Sequence, residues 1–229
     1  MTIADNLNIV RQAVDVAQKD TPVKLVAVSK TFPEEAIWEA YQAGQRIFGE
    51  NYVQEGVRKI QYFRDAQPQA EFEWHFIGPL QSNKSRLVAE HFDWVQSIDR
   101  LKIARRLSEQ RPSSMPALNV LIEVNIDDEE TKSGVAPDDL LAIVKEVAVL
   151  PNLKLRGLMC IPSAQADEAQ SRAAFAKMKS LFEFCRKEGF DFDTLSMGMS
   201  ADFALAIDQG ATMVRVGSAI FGARDYSSR

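Results

Sequence analysis

Lys30 is the first residue of chemical interest. It closes the run Leu25-Val26-Ala27-Val28-Ser29 and precedes Thr31-Phe32-Pro33. Four apolar residues in succession describe a strand covered on both faces. A lysine where such a strand runs out is either a solvated charge or an amine held in a pocket for chemistry, and the strand alone leaves both readings open. A second group of residues bears on the choice. Ser196-Met197-Gly198-Met199-Ser200-Ala201-Asp202 leads from a strand into a helix. Glycine there allows close backbone approach, serine offers a hydroxyl, and the free N–H groups of a helix start favour an anion. Ser200 could equally do no more than cap that helix, with Asp202 in its first turn. Gly217-Ser218 repeats the glycine–serine combination further on.

Other polar residues are harder to place. Arg215 interrupts an apolar strand between Val214 and Val216. It points either outward to a helix carboxylate or inward, where a cation needs a partner or a ligand atom. His75 sits among aromatic residues in Trp74-His75-Phe76-Ile77, where a lone histidine is more often a hydrogen-bonded core residue than a catalyst. His91 reads as structural or solvated. Cys160 reads as a packed small hydrophobe, and with Cys185 it makes two cysteines too far apart in sequence to suggest a motif. Nothing has metal-ligand spacing, and Asp127-Asp128-Glu129-Glu130 reads as a solvated loop. Lys84, Arg86, Lys102, Arg105 and Arg106 read as solvated basic helix faces. No Walker-type or dinucleotide-type glycine run is present.

The elements that must position these residues alternate strand and helix. Strands are expected at 25–30, 46–51, 73–78, 94–98, 118–125, 154–161, 194–199 and 213–221. Helical patterns lie between them, and an amphipathic helix within residues 1–19 carries Ile3, Leu7, Val10, Val14 and Ala17 on one stripe. Gly44, Gly189 and Gly210 stand where helix C-caps belong. This is an α/β pattern, and eight strands over about 200 residues favour a single (β/α)8 TIM-type barrel with an additional N-terminal helix, occupying residues 1–229 as one domain. An open doubly wound sheet is the other arrangement that holds eight strands. In a barrel the working groups gather at the C-terminal strand ends. Those ends carry Ser29-Lys30, Glu50-Asn51, Glu123-Val124-Asn125, Met159-Cys160, Met199-Ser200 and Arg215 to Ser218. Strand ends also meet water and are polar for that reason alone.

Composition narrows the class. The 229 residues suffice for a sizeable core, and the net charge of -5 argues against non-specific binding to nucleic acid or anionic membranes. No apolar run approaches a membrane span, and the N-terminus lacks the continuous apolar segment of a signal peptide, so a cytoplasmic location is expected.

A lysine amine opposite a phosphate cradle fits pyridoxal 5'-phosphate (PLP), whose aldehyde would form an imine with the amine. The sequence resembles the pyridoxal phosphate homeostasis protein family, small single-domain relatives of the alanine racemase N-terminal domain. The stretches that carry the resemblance are Ala27-Val28-Ser29-Lys30-Thr31, Phe48-Gly49-Glu50-Asn51-Tyr52-Val53-Gln54-Glu55, Trp74-His75-Phe76-Ile77-Gly78-Pro79-Leu80-Gln81, Gly157-Leu158-Met159, Leu195 to Asp202 and Val214 to Gly222. The resemblance implies Lys30 as the imine-forming residue and Ser200, Gly217 and Ser218 as holders of the phosphate. It implies Arg215 near the pyridine nitrogen, Asn51 beside the ring, and His75 and Met159 in the same pocket. Alanine racemase adds a β-rich second domain that delivers a catalytic tyrosine. This chain ends shortly after its eighth strand, so a cofactor carrier or regulator is expected rather than a racemase. Its partners would be PLP itself and, as acceptors, apo-enzymes that use PLP. A monomer is favoured. A PLP-dependent racemase or lyase of low activity, with Lys30 and His75 as proton carriers, and a cofactor-free lysine aldolase are the alternatives.

Overall fold

The computed structural model describes residues 1–127 and 132–223. The eight strands are β1 Lys24–Val28, β2 Ile47–Glu50, β3 Glu73–Phe76, β4 Trp94–Ile98, β5 Leu118–Glu123, β6 Leu153–Met159, β7 Thr194–Ser196 and β8 Met213–Val216. They are parallel and close into a barrel in sequential order, with β8 paired to β1 through Leu25–Val214 and Val26–Arg215. This removes the open sheet.

The helices are α1 Ile3–Ala17, α2 Glu34–Gln42, α3 Val53–Ala66, α4 Ser85–His91, α5 Leu101–Gln110, α6 Leu140–Ala148, α7 Glu168–Lys187, α8 Phe203–Asp208 and α9 Ser218–Phe221. One helix follows each strand, but the one after β8 is a single turn. α1 fills the place this leaves in the outer ring, touching α2, α8 and α9. Thr2 starts α1 with a reciprocal capping box: its hydroxyl accepts from the Asp5 N–H and its own N–H donates to the Asp5 carboxylate. Leu7, Val10 and Val14 of the expected stripe are buried, with Ile3 and Ala17 packed at the edge. Among the described residues no helix is long and apolar enough to cross a membrane.

Strand periodicity divides the apolar residues between two layers. Leu25 and Ala27 face the helices in the main core, alongside Phe48, Ile37 and Ile60, each such burial being worth about 1.5–3 kcal/mol. Val26 points into the barrel, where it packs with Trp94, Leu121, Met159 and Met213.

Several strands end earlier than expected. β7 stops at Ser196 rather than residue 199, and β8 at Val216 rather than residue 221. The physical reason lies in the glycines. Gly198 adopts φ 98°, and a Cβ there would stand 2.6 Å from the Ala206 Cβ, so the chain leaves the strand and folds tightly against α8. Beyond Gly217 the chain winds into α9 instead of continuing as strand. β1 likewise ends at Val28, before Ser29 and Lys30, and Thr31 sits in the left-handed region at φ 68°.

Candidate functional site

A cavity of about 400 Å³ opens at the C-terminal end of the barrel. Lys30, Asn51, Ser200, Arg215, Gly217 and Ser218 line it, with Val28, Ile77, Ile161 and Met199 as apolar walls. Six of the eight residues expected from sequence therefore meet in one place. His75 and Met159 do not line it. Met159 is fully buried in the apolar layer inside the barrel, and His75 is fully buried beside it, stacked on Trp94 at 4.9 Å.

Lys30 is held by its neighbours in the chain. The buried Lys59 of α3 donates from Nζ to the Ser29 carbonyl at 2.7 Å, to Glu50 Oε1 at 2.8 Å and to Glu55 Oε1 at 2.8 Å. The Ser29 hydroxyl donates to Glu50 Oε1 at 2.6 Å, and the Thr31 N–H donates to Glu55 Oε1 at 2.6 Å. Both residues flanking Lys30 are thus pinned from below, while the Lys30 side chain itself, among the described residues, makes no hydrogen bond or ion pair and stays partly exposed to the cavity. Burial pushes the Glu50 carboxyl up to about 6, with Lys59 pulling the other way. The Lys59 anchor was not anticipated. Glu55 and Lys59 at i,i+4 give a weak signal, because that spacing ordinarily marks an exposed pair.

Ser200 does not cap α8. Its hydroxyl oxygen accepts from the backbone N–H groups of Gly217 at 3.3 Å and Ala219 at 3.4 Å. It therefore ties the β7–α8 turn to the start of α9 and sets a hydroxyl beside backbone donors at the cavity wall. Asp202 instead accepts from the Met199 N–H at 2.7 Å.

Arg215 points inward and is 3% exposed. Its guanidinium donates to the Ser196 hydroxyl at 2.6 Å and to the Cys160 carbonyl at 2.9 Å. A chain of hydrogen bonds continues down the barrel. The Ser196 hydroxyl donates to Gln96 Oε1 at 2.6 Å, Gln96 Nε2 meets His75 Nδ1 at 2.8 Å, and His75 Nε2 meets Glu73 Oε1 at 2.7 Å. Arginine can only donate, so each later group must pass a donor downward. His75 is then a neutral imidazole accepting at Nδ1 and donating from Nε2. Burial also lowers its pKa, against the opposing pull of Glu73. His75 is a core residue of this chain.

Asn51 Oδ1 is buried at the cavity with no hydrogen-bond partner among the described residues. Gly78 makes room for the Asn51 backbone: a Cβ at Gly78 would lie 2.2 Å from the Asn51 backbone carbonyl oxygen. The cavity thus offers an unpaired amine, a guanidinium, hydroxyl and backbone donors, and an orphaned amide oxygen. That set suits a small ring bearing an aldehyde and an anionic arm.

The remaining polar candidates lie elsewhere. Cys160 and Cys185 are free and buried, their thiols pushed up to about 12 and about 11, chiefly by burial. His91 Nδ1 meets the Leu87 carbonyl at 2.8 Å. Arg106 departs from the solvated reading, since its Nε donates to the Ser82 carbonyl at 2.9 Å. Residues 128–130 of the acidic run lie outside the described residues; Asp127 accepts from Lys132 and from the Ser163 N–H. Among the described residues no three His, Cys, Asp or Glu side chains gather as a metal site.

The fold and the lysine-bearing mouth define the class, and comparison with known proteins agrees. The model of the family "Alanine racemase, N-terminal domain" matches residues 2–225. Alanine racemase from Corynebacterium glutamicum shares the fold, with a TM-score of 0.73 at 19% identity over 99% of this chain and 62% of that one. Within that class the likeness narrows. The pyridoxal phosphate homeostasis protein of Pasteurella multocida is 58% identical over 99% of this chain and 100% of its own length, and that of Escherichia coli strain K12 is 52% identical over 99% of each. PipY of Synechococcus elongatus, solved with PLP bound, superposes with a TM-score of 0.86 at 37% identity over 96% of this chain and 100% of PipY. The chain belongs to the pyridoxal phosphate homeostasis protein family.

Proposed function

We propose that this protein binds PLP in the cavity at the barrel mouth and serves the homeostasis of that cofactor. Lys30 is the residue that captures the aldehyde as an imine. Ser200, Gly217 and Ser218 receive the phosphate, Asn51 lies beside the ring, and Arg215 faces the pyridine nitrogen. The observation that carries this reading is one of placement. The Lys30 amine, unpaired among the described residues, and Ser200, Gly217 and Ser218 line the same cavity, Lys30 from beyond the end of β1 and the others from beyond the ends of β7 and β8.

Bound PLP supplies a reactive aldehyde and, when its ring nitrogen is protonated, an electron sink. Arg215 does not readily surrender a proton and so favours the unprotonated ring. His75, the second proton carrier that a racemase or lyase reading requires, is turned into the core and occupied by Gln96 and Glu73. Both points support storage and delivery over amino-acid chemistry, with apo-enzymes that use PLP as the acceptors. A monomer is the working unit in this reading.

Incubation with PLP should give an absorption band of an imine, and borohydride should fix the cofactor on Lys30, as read by peptide mapping. Lys30→Ala should lack the band. A wild-type protein that stays colourless, or label on another lysine, would overturn the assignment. Sedimentation of the loaded protein checks the monomer.

A further inference from the structure

Beside the PLP cavity lies a second chamber of about 320 Å³, which shares Asn51, Ile77 and Ile161 with the first. At the end of β5 Glu123 lines this chamber. Glu123 is 7% exposed, and among the described residues its carboxylate makes no hydrogen bond or ion pair. Its oxygens keep contact only with the chamber, and a carboxylate largely removed from water without a partner is costly to the fold. Burial accordingly pushes it up to about 7; Asp99 adds to this and Arg215 opposes it. Glu50 shows what this barrel does with a carboxylate that serves structure: it supplies Lys59 and the Ser29 hydroxyl. Glu123 receives neither. Lys132, on the same chamber, is engaged with Asp127 at 2.9 Å.

We propose that this chamber is a subsite for the ammonium group of an external primary amine, with Glu123 as the group that recognises it. The proposal rests on the reading of the first cavity as the PLP site. The apolar walls Ile77, Pro79 and Ile161 suit a short alkyl stem behind the ammonium, such as the end of a lysine side chain. An amine arriving here can release the cofactor from Lys30 by exchange. The incoming nitrogen bonds to the cofactor's imine carbon, and the bond from that carbon to Lys30 Nζ breaks. Two protons leave the incoming ammonium and two arrive on Lys30 as it departs, Glu123 holding one of them in between. No oxidant or reductant is involved.

The test uses wild-type protein and Glu123→Gln, both loaded with PLP. Each is titrated near neutral pH with n-propylamine, which carries a positive charge there, and with hydroxylamine, which is largely uncharged. Cofactor remaining on Lys30 is followed by borohydride fixation and peptide mapping, because the imines with Lys30 and with propylamine share one absorption band. A charge-assisted contact predicts that the preference for propylamine over hydroxylamine falls about tenfold in Glu123→Gln. An unchanged preference overturns the proposal. In a second measurement, unloaded wild-type protein labelled with ¹³C at glutamate carboxyls is titrated with propylamine. A saturable shift of the Glu123 resonance is expected, and its absence also overturns the subsite. If loading itself gives no imine band, the PLP reading fails, and the unloaded titration still decides whether the chamber takes an amine.

Discussion

Glu123→Gln should make the unloaded protein more stable, by an amount that depends on pH in a direction opposite to most carboxylates. The Glu123 carboxyl is pushed up to about 7 from an ordinary value of 4.5, so the folded chain holds this proton more tightly than the unfolded chain. Below about pH 4 the group is protonated in both states and contributes nothing; as pH rises from the unfolded value of 4.5 to the folded value of about 7 the unfolded chain ionises first, and the fold loses about 3 kcal/mol, the difference between the two values at about 1.4 kcal/mol per pH unit, after which the loss levels off. Glutamine has the same shape and no charge to ionise. Urea denaturation of both variants at about pH 4 and about pH 8 should therefore show the glutamine variant gaining roughly 3 kcal/mol on the wild type between the two, or roughly 6–12 °C in Tm for a chain of this size. Taking the difference between variants cancels the titrating groups that do not act on Glu123, Glu50 and His75 included. A gap that stays constant with pH, or that favours glutamate at high pH, would refute the account of Glu123 as a buried carboxylate without a partner.

Three further substitutions probe the supports of the cavity. Gln96→Leu leaves the Ser196 hydroxyl proton without an acceptor and His75 Nδ1 without a donor in the core and should cost about 2–4 kcal/mol in urea denaturation, with weaker PLP binding as the support under Arg215 loosens; a loss well under 1 kcal/mol would break the case for a continuous chain. Lys59→Met strips the cation from Glu50 and should cost about 3–5 kcal/mol, more at high pH than at low, because Glu50 then stays protonated to higher pH and its penalty appears only as it ionises. Equal losses at both pH values would refute that sign. Gly78→Ala drives a Cβ against the Asn51 carbonyl and should lower PLP affinity at least about tenfold, since backbone must move to relieve the contact; a spectroscopic titration matching wild type would show that Asn51 is not needed where it stands.

Much of the site could be read in the sequence because strand order in a parallel barrel follows chain order. Lys30, Asn51, Ser200, Arg215, Gly217 and Ser218 each end or follow a strand, and closure of β8 onto β1 brings them to one mouth. What stayed hidden depended on which face of a strand looked inward. Met213-Val214-Arg215-Val216 is apolar on both faces, so alternation alone gave Arg215 no direction. Its partners, the Ser196 hydroxyl of β7 and the Cys160 carbonyl just past β6, are brought beside it by strand pairing and carry no mark in the local sequence. Family likeness implies His75 in the pocket, yet it lies in the core, and Glu73, two residues earlier on the same strand face, is the sequence signal of its partner. The burial of Lys59 depends on Glu50, nine residues away on another element, and helix spacing carries no trace of it.

The one-way run of donors from Arg215 to Glu73 has consequences for what the barrel can do. Protonating His75 at Nδ1 would set a donor against the Gln96 amide. Gln96 would then have to turn over and present its NH2 to Ser196, whose hydroxyl already receives a donor from Arg215. Ser196 could not stay satisfied with two donors facing it and its own proton left to place. The chain is therefore stable in one protonation pattern, with His75 neutral and Arg215 charged. Glu73, held below the ordinary carboxylate range foremost by its bond from His75, closes the far end. A side chain locked as a donor at the cavity floor cannot exchange protons with a ring nitrogen during a reaction cycle. The lock that fixes Arg215 thus supports the proposed reading of storage over carbanion chemistry, and apart from Arg215 its groups lie outside the cavity lining.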